Sequence, residues 1–226
     1  MLYIPENFAA AANLIAKDDF IDYTEHSTIE FIDLGLSSGT KWMKCNIGAE
    51  KETDYGLFFQ WGDTVGYDES TAAAHSTWST CPGNGGASSY DTSALTTWGT
   101  TNLTNNILNT SVDVAYVHTN GKAKMPTEAQ VDELINETNS EWTTMDGVVG
   151  RKFTNKTDFS KYIFIPAAGC FYRGSHGNEE SYGYVWSSSL NTSSVNIACE
   201  LYFSYDDVST DSGNRYIAQS VRGVSI

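Results

Sequence analysis

Near the end of the chain, Leu201 and Phe203 alternate with Glu200, Tyr202 and Ser204. That period of two places apolar side chains on a buried face and mixed ones on the other, the pattern of a half-buried strand. Upstream apolar stretches predict more strands: Ile29 to Leu36, ending in the turn LSSGT, then KWMKCNIGA and YGLFFQWGD. From Trp142 onward strands return in GVVGRKFT, in YIFIPAAG and in the terminal segment.

Helical spacing occurs in three places. Pro5 to Lys17 predicts a short helix, with Pro5 in its first turn and Phe8, Leu14 and Ile15 on one side. Ser111 is placed to cap a turn containing Asp113, with Val112, Ala115 and Tyr116 facing inward. PTEAQVDELI has the strongest pattern. Thr127 and Gln130 stand at capping-box spacing, and Val131, Leu134 and Ile135 form an apolar stripe. Asp18 to Thr28 is a polar connector. Thr64 to Thr104 is a long Ser/Thr/Gly segment with isolated aromatics, Tyr67, Trp78, Tyr90 and Trp98. A loop of that length is either functional or held down by its own aromatics. Strands, two central helices, more strands and a final hairpin make an α+β chain with a mainly antiparallel sheet.

Composition narrows the class. The 226 residues are 40% hydrophobic and 18% charged, which suits a globular chain rather than a disordered one. The formal net charge of -15 argues against nucleic acid and anionic membrane surfaces, since both require a basic footprint. The amino terminus lacks the basic n-region and sustained apolar core of a secretory signal, and no apolar run is long enough to span a bilayer. The expectation is a leaderless product, or one at the cell surface from which a leader has been removed. Cys45, Cys81, Cys170 and Cys199 show no CxxC or Cys/His metal spacing. Their dispersal fits buried free thiols at least as well as a disulfide framework.

The stretch Tyr184 to Ile226 interleaves framework and filler. WSSS, Ala198, Leu201, Phe203, Arg215 and QSVRGV have the character of a scaffold. Between them lie Tyr, Ser, Asp, Val, Ile and Cys in no chemical order. Antibody paratopes use similar residues, because Tyr supplies contact area at low entropy cost and Ser adapts its hydrogen bonds. The same composition also describes an ordinary edge hairpin with a solvated face. Trp42, Trp61, Trp142 and Trp186 are expected in the core. Arg173 and Arg222, each beside a glycine, are expected to bond backbone carbonyls or buried carboxylates.

Seven motifs in order resemble the Fibrobacter succinogenes major paralogous domain: FIDLGLSSGTKWMKCNIGA, DYGLFFQWGD, KMPTEAQVDELI, EWTTMDGVVGRKFT, IFIPAAGCFYRG, VWSSS and QSVRGV. That family is similar to the sulfatase-modifying, formylglycine-generating group, whose fold is an elaborated C-type lectin fold in which the first and last strands pair. The resemblance implies one domain from about Thr28 to Ile226, with Met1 to Ser27 as an appendage. Many members have a Cys before EWTT, where this chain has NETNS, which implies that Cys45 is a free thiol here. A subset of the family serves as variable proteins of diversity-generating retroelements in phages and gut bacteria. In these, adenine mutagenesis of Asn codons rewrites the carboxy-terminal stretch and cannot yield Lys, Glu, Gln, Met or Trp. Tyr202 to Ala218 contains none of the excluded residues, whereas Glu200 breaks the rule.

On that resemblance the variable stretch runs from about 176 to 218. Its candidate ligand contacts are Tyr184, Val185, Ser193, Val195, Ile197 and Cys199, followed by Glu200, Tyr202, Ser204, Tyr205 and Asp206. Ser209, Asp211, Ser212, Tyr216 and Ile217 complete the face. The implied function is non-enzymatic binding of a host-surface protein or glycan, at a virion surface if the gene is phage-borne. A surface module with a fixed ligand is the alternative, and a formylglycine-type oxidase the third.

Chemistry beyond binding has weaker support. The oxidases work through a pair of cysteines near the carboxy terminus, but Cys199 has no second Cys close in sequence. His176, in the run RGSHGNEE, is expected to be solvated rather than catalytic. The EPN, QPD and WND tripeptides of calcium-dependent sugar-binding lectins do not occur. Asp206, Asp207 and Asp211 offer oxygen ligands, but acidic residues in a hairpin loop are usually just solvated. No cofactor is expected, although loop carbonyls elsewhere leave a structural calcium open.

Overall fold

The computed structural model describes residues 29–226; the expected helix Pro5 to Lys17 and the connector after it lie outside the described residues. The described chain begins with β1 (Phe31–Asp33) and β2 (Lys41–Met43), then α1 (Thr92–Asn102), β3 (Leu103–Thr104) and β4 (Ile107–Leu108). Next come α2 (Val114–His118), β5 (Ala123–Lys124), α3 (Glu128–Glu137), β6 (Thr138–Met145), β7 (Val148–Asn155) and β8 (Tyr162–Pro166). The last part holds β9 (Cys170–Tyr172), β10 (Ser175–Gly177), β11 (Tyr182–Leu190), β12 (Ile197–Ser204), β13 (Val208–Asn214) and β14 (Val224–Ser225). Every ladder between these strands is antiparallel. With three α-helices among the described residues, the architecture is α+β and mostly antiparallel sheet.

One sheet, ordered β1-β2-β14-β5, joins the first described strands to the last, with Trp42 opposite Val224. Arg222 locks this junction. Its buried guanidinium donates to the carbonyls of Met43, Lys44 and Phe164 and to Asn46 Oδ1. Burial without a carboxylate partner pushes it down to about 10. Arg173, expected to play a like part, is exposed instead and lies with its cation 5.0 Å from the Tyr172 ring.

The helix α3 forms where capping and stripe agree. Thr127 Oγ1 accepts from the Gln130 N–H, and Gln130 Oε1 accepts from the Thr127 N–H. Val131 and Leu134 bury fully among Phe153, Ile163, Leu201 and Phe203, while Ile135 packs at the edge. Each such burial stabilises the fold by about 1.5 to 3 kcal/mol. This core fixes the five-stranded sheet β13-β12-β11-β4-β3 against α3. Trp42, Trp61 and Trp186 are buried as expected, and Trp142 packs partly buried on Phe203.

Three expectations change. Within the long 64–104 segment, α1 forms with Asp91 as its N-cap; its one buried residue, Leu95, is too little apolar stripe to show in the sequence. The α2 cap is Asp113 rather than Ser111, because Asp113 Oδ1 accepts from both Tyr116 and Met125 N–H groups. YGLFFQWGD enters no ladder among the described residues. Phe58 and Phe59 instead make single bridges to Tyr67 and Gln219, and their rings are buried.

Candidate ligand-binding face

Register decides which side chains share a surface. On β11 and β12, Tyr182 opposes Ser204, Tyr184 opposes Tyr202 and Trp186 opposes Glu200. On β12 and β13, Glu200 opposes Asp211 and Tyr202 opposes Ser209. Side chains alternate across a pleated sheet, so these residues lie on one face. Val185, Cys199, Leu201 and Phe203 lie on the other, towards α3. Gly183 allows the close packing of that inner face, since a Cβ there would stand 1.9 Å from the Phe203 ring.

The outer face carries an aromatic ladder. The Tyr202 ring lies 5.9 Å from Tyr182 and 5.7 Å from Tyr184, and all three rings are half-buried. Offset packing at such spacing holds each ring while leaving its rim available for contact. Tyr205 stands beyond the end of β12 and is 72% exposed.

Beside the ladder, the β9–β10 hairpin folds over the sheet. Single bridges hold it there, Gly169 to Gly183 and Phe171 to Ala218. A cavity of about 360 Å³ remains beneath, with Glu200 and Gln219 at its base and Tyr172, Tyr184, His176 and Ile217 among its walls. Glu200 is 4% exposed and Gln219 1%. Gln219 Nε2–H donates to Glu200 Oε2 at 2.6 Å, and Gln219 Oε1 has no hydrogen-bond partner among the described residues. Burial pushes the Glu200 carboxyl up to about 7; the Gln219 hydrogen bond pulls part of the way back, and Asp211 adds a further rise. Asn178 Nδ2–H donates to the Tyr184 hydroxyl at 3.1 Å. His176 is not solvated as expected. Its ring stacks 4.2 Å from Phe171, and its Nε2 is 2.8 Å from the Ala168 carbonyl.

The predicted contacts do not all come together. Ser193, Tyr205, Asp206 and Asp211 are exposed, while Tyr184, Val195, Ile197, Tyr202, Ser204, Ser209, Ser212 and Ile217 are half-buried. Ser193 and Val195 lie in the β11–β12 connection, and Tyr205 and Asp206 lie in the β12–β13 turn. The eight residues of β12 separate them, roughly 25 Å at strand rise. Tyr184, Glu200, Tyr202, Ser209 and Asp211 form the central cluster.

Four candidates are corrected as exposed contacts. Val185 belongs to the core cluster, because its partner in register is Leu201. Cys199 shares the parity of Leu201 and Phe203 and is buried towards Glu128 and Asp132 of α3. Glu200 has the outward parity but is covered by the hairpin. Tyr216 is 2% exposed, packed 4.7 Å from Trp78 and 5.6 Å from Tyr172. Conversely, Cys170, Tyr172, His176, Asn178 and Gln219 line the cavity, and the sequence reading did not include them. Their placement depends on long-range bridges, which no local pattern encodes.

All four cysteines are unpaired. Burial pushes Cys81, Cys170 and Cys199 up to about 12, so at neutral pH they are protonated thiols. Among the described residues no group of three or more His, Cys, Asp or Glu is gathered for a metal ion, and no helix is long and apolar enough to cross a membrane. Comparison with family models, curated proteins and solved structures found no match.

Proposed function

We propose that this chain is a non-enzymatic ligand-binding protein of C-type lectin fold whose outer hairpin face is diversified by a retroelement. Its partner is a host-surface protein or glycan, met at a virion surface if the gene is phage-borne. One observation carries the reading. The β11–β13 sheet divides into a locked inner face, Val185, Leu201 and Phe203, and an outer face on which the accessible positions beside buried Trp186 and Glu200 are Tyr, Ser and Asp, outside that inner core. The pairing of β2 with β14, which brings the two ends of the described chain into one sheet, supports the lectin-type architecture. Protonated thiols at Cys170 and Cys199 favour binding over oxidase chemistry.

The neighbouring DNA tests the diversification. A reverse transcriptase gene beside a near-copy of the last coding stretch, differing only at adenines, is the expected result. An intact neighbourhood without either leaves a fixed-ligand module as the reading. Glu200 and Gln219 favour a fixed element within the face in any case, since adenine mutagenesis of Asn codons yields neither residue.

A further inference from the structure

The base of the cavity under the β9–β10 hairpin offers hydrogen-bond acceptors without matching donors. Glu200 Oε2 takes the Gln219 amide, and Oε1 makes no hydrogen bond among the described residues. Gln219 Oε1 is likewise unpartnered and its residue is buried. Among the described residues no lysine or arginine lines the cavity. A carboxyl oxygen without a donor, on a residue almost wholly removed from solvent, calls for a group with N–H donors, and a carboxyl favours one that is positively charged. The walls suit the same group. Tyr172 and Tyr184 present aromatic surface on which a cation is stabilised, and Ile217 gives an aliphatic stem an apolar contact. The volume, about 360 Å³, lies at the small end of ligand sites.

We infer that this cavity takes a protonated primary amine, its ammonium on the Glu200 carboxylate and its stem against Tyr172, Tyr184 and Ile217. The ligand source is a lysine side chain on the partner or an amino sugar, which share this chemistry. The inference rests on the reading of this face as a binding face, and makes the cavity its fixed anchor beside variable tyrosines. Binding is coupled to proton release. Facing Glu200 are Asp211 on β13, Cys170 on β9, His176 on β10, Tyr184 on β11 and Cys199 beside it on β12. The carboxyl, about 7 without an amine, must be ionised to receive one.

The test is an NMR titration of the full chain with Nα-acetyl-lysinamide, with glucosamine, and with the uncharged Nα-acetyl-norleucinamide. Saturable shifts at Ser175 to Asn178 and Gln219 are expected with at least one amine and not with norleucinamide. Whichever amine saturates identifies the source. For Nα-acetyl-lysinamide, whose amine stays protonated throughout, affinity should be about tenfold weaker at pH 6 than at pH 8, as one acid group titrating near 7 requires, and for either amine it should be at least tenfold weaker in Glu200→Gln. Should that variant fail to fold, the pH dependence of the wild-type chain decides. Equal binding of norleucinamide, amine binding indifferent to pH and to Glu200→Gln, or no saturation by either amine overturns the inference. So do non-saturating shifts spread over Glu179, Asp206 and Asp211. The binding-face reading fails separately: a partner captured through Tyr202 and Tyr205 preserves it even if the cavity ignores amines.

Discussion

Trp61 and Trp186 each hydrogen-bond the chain segment that carries the other. The Trp186 indole N–H donates to the Phe59 carbonyl at 2.9 Å, and the Trp61 indole N–H donates to the Ser187 carbonyl at 2.8 Å. Both rings are fully buried, so each bond is made where water cannot replace it. This crossed pair fastens the irregular 54–63 segment to β11, and with it the platform on which the outer face stands. Arg215 completes the clasp, its cation 4.8 Å from the Trp61 ring and 4.5 Å from that of Trp98.

Truncating either indole removes packing and one buried hydrogen bond, although the Phe59 carbonyl keeps the Gln219 N–H as a donor. Trp186→Ala is expected to destabilise the fold by about 3 to 5 kcal/mol, the usual cost of a buried aromatic. Trp186→Phe, which keeps most of the ring volume but loses the N–H, should cost less. Chemical denaturation checks both. Equal midpoints for wild type and Trp186→Ala would show that the clasp carries no stability.

Glu200 makes stability depend on pH in an uncommon direction. Its carboxyl sits at about 7 in the folded chain against an ordinary 4.5, so folding takes up a proton between those values. The stabilising contribution is full below about 4.5, falls as pH rises, and is lost above about 7. Integrated over the window this amounts to about 3 kcal/mol. Glu200→Gln should therefore raise the melting temperature at pH 8 and leave it unchanged at pH 4.5. A variant no more stable than wild type at pH 8 would contradict the buried, unpaired carboxyl.

The parts of the fold legible in sequence are those set by neighbours along the chain. The α3 capping box and stripe are local, and so is the alternation that buries Leu201 and Phe203. Helix α1 escaped because TSALTTWGTTN offers hydroxyls where a helix ordinarily shows an apolar stripe; its start rests on one Asp91 cap. For Cys199, parity with Leu201 already pointed inward, and scatter among polar neighbours obscured it. Glu200 and Tyr216 are different. Their burial comes from the β9–β10 hairpin and from Trp78, far apart in the chain, and no periodicity within the 184–226 stretch reports it.

Tolerance to substitution should follow the two faces rather than the interleaved sequence. Ser204, Tyr205, Ser209 and Asp211 are expected to accept varied residues at about 0.5 kcal/mol or less each, the range for surface sites, and Tyr202 at about 1 kcal/mol because its ring packs on Tyr182 and Tyr184. Val185, Cys199, Leu201 and Phe203 should not, although Cys199 sits among positions of variable character. Two libraries, one per face, sorted for soluble folded protein make the comparison. Similar survival in both would remove the distinction on which the binding-face reading depends.

Contact energy should concentrate on the aromatic ladder and the hairpin tip. Tyr202 is held at 5.9 Å and 5.7 Å by Tyr182 and Tyr184, so little side-chain freedom remains to be lost on binding. Tyr205 is the most exposed tyrosine of the stretch and reaches furthest into solvent. Against a partner captured in a screen of host-surface proteins and glycans, Tyr202→Ala is expected to weaken binding by at least about 2 kcal/mol, as for a rigid aromatic anchor. Tyr205→Ala should cost about 1 kcal/mol, because an exposed side chain without packing neighbours gives up more entropy to make its contact. Tyr216→Ala behaves differently: it should lower the melting temperature, since its ring packs on Trp78 and Tyr172 rather than facing a ligand. Surface plasmon resonance beside thermal melts separates these outcomes. A partner whose affinity ignores Tyr202 and Tyr205 but falls with substitutions in the 64–104 segment would move the site to that segment and leave the hairpin a plain structural edge.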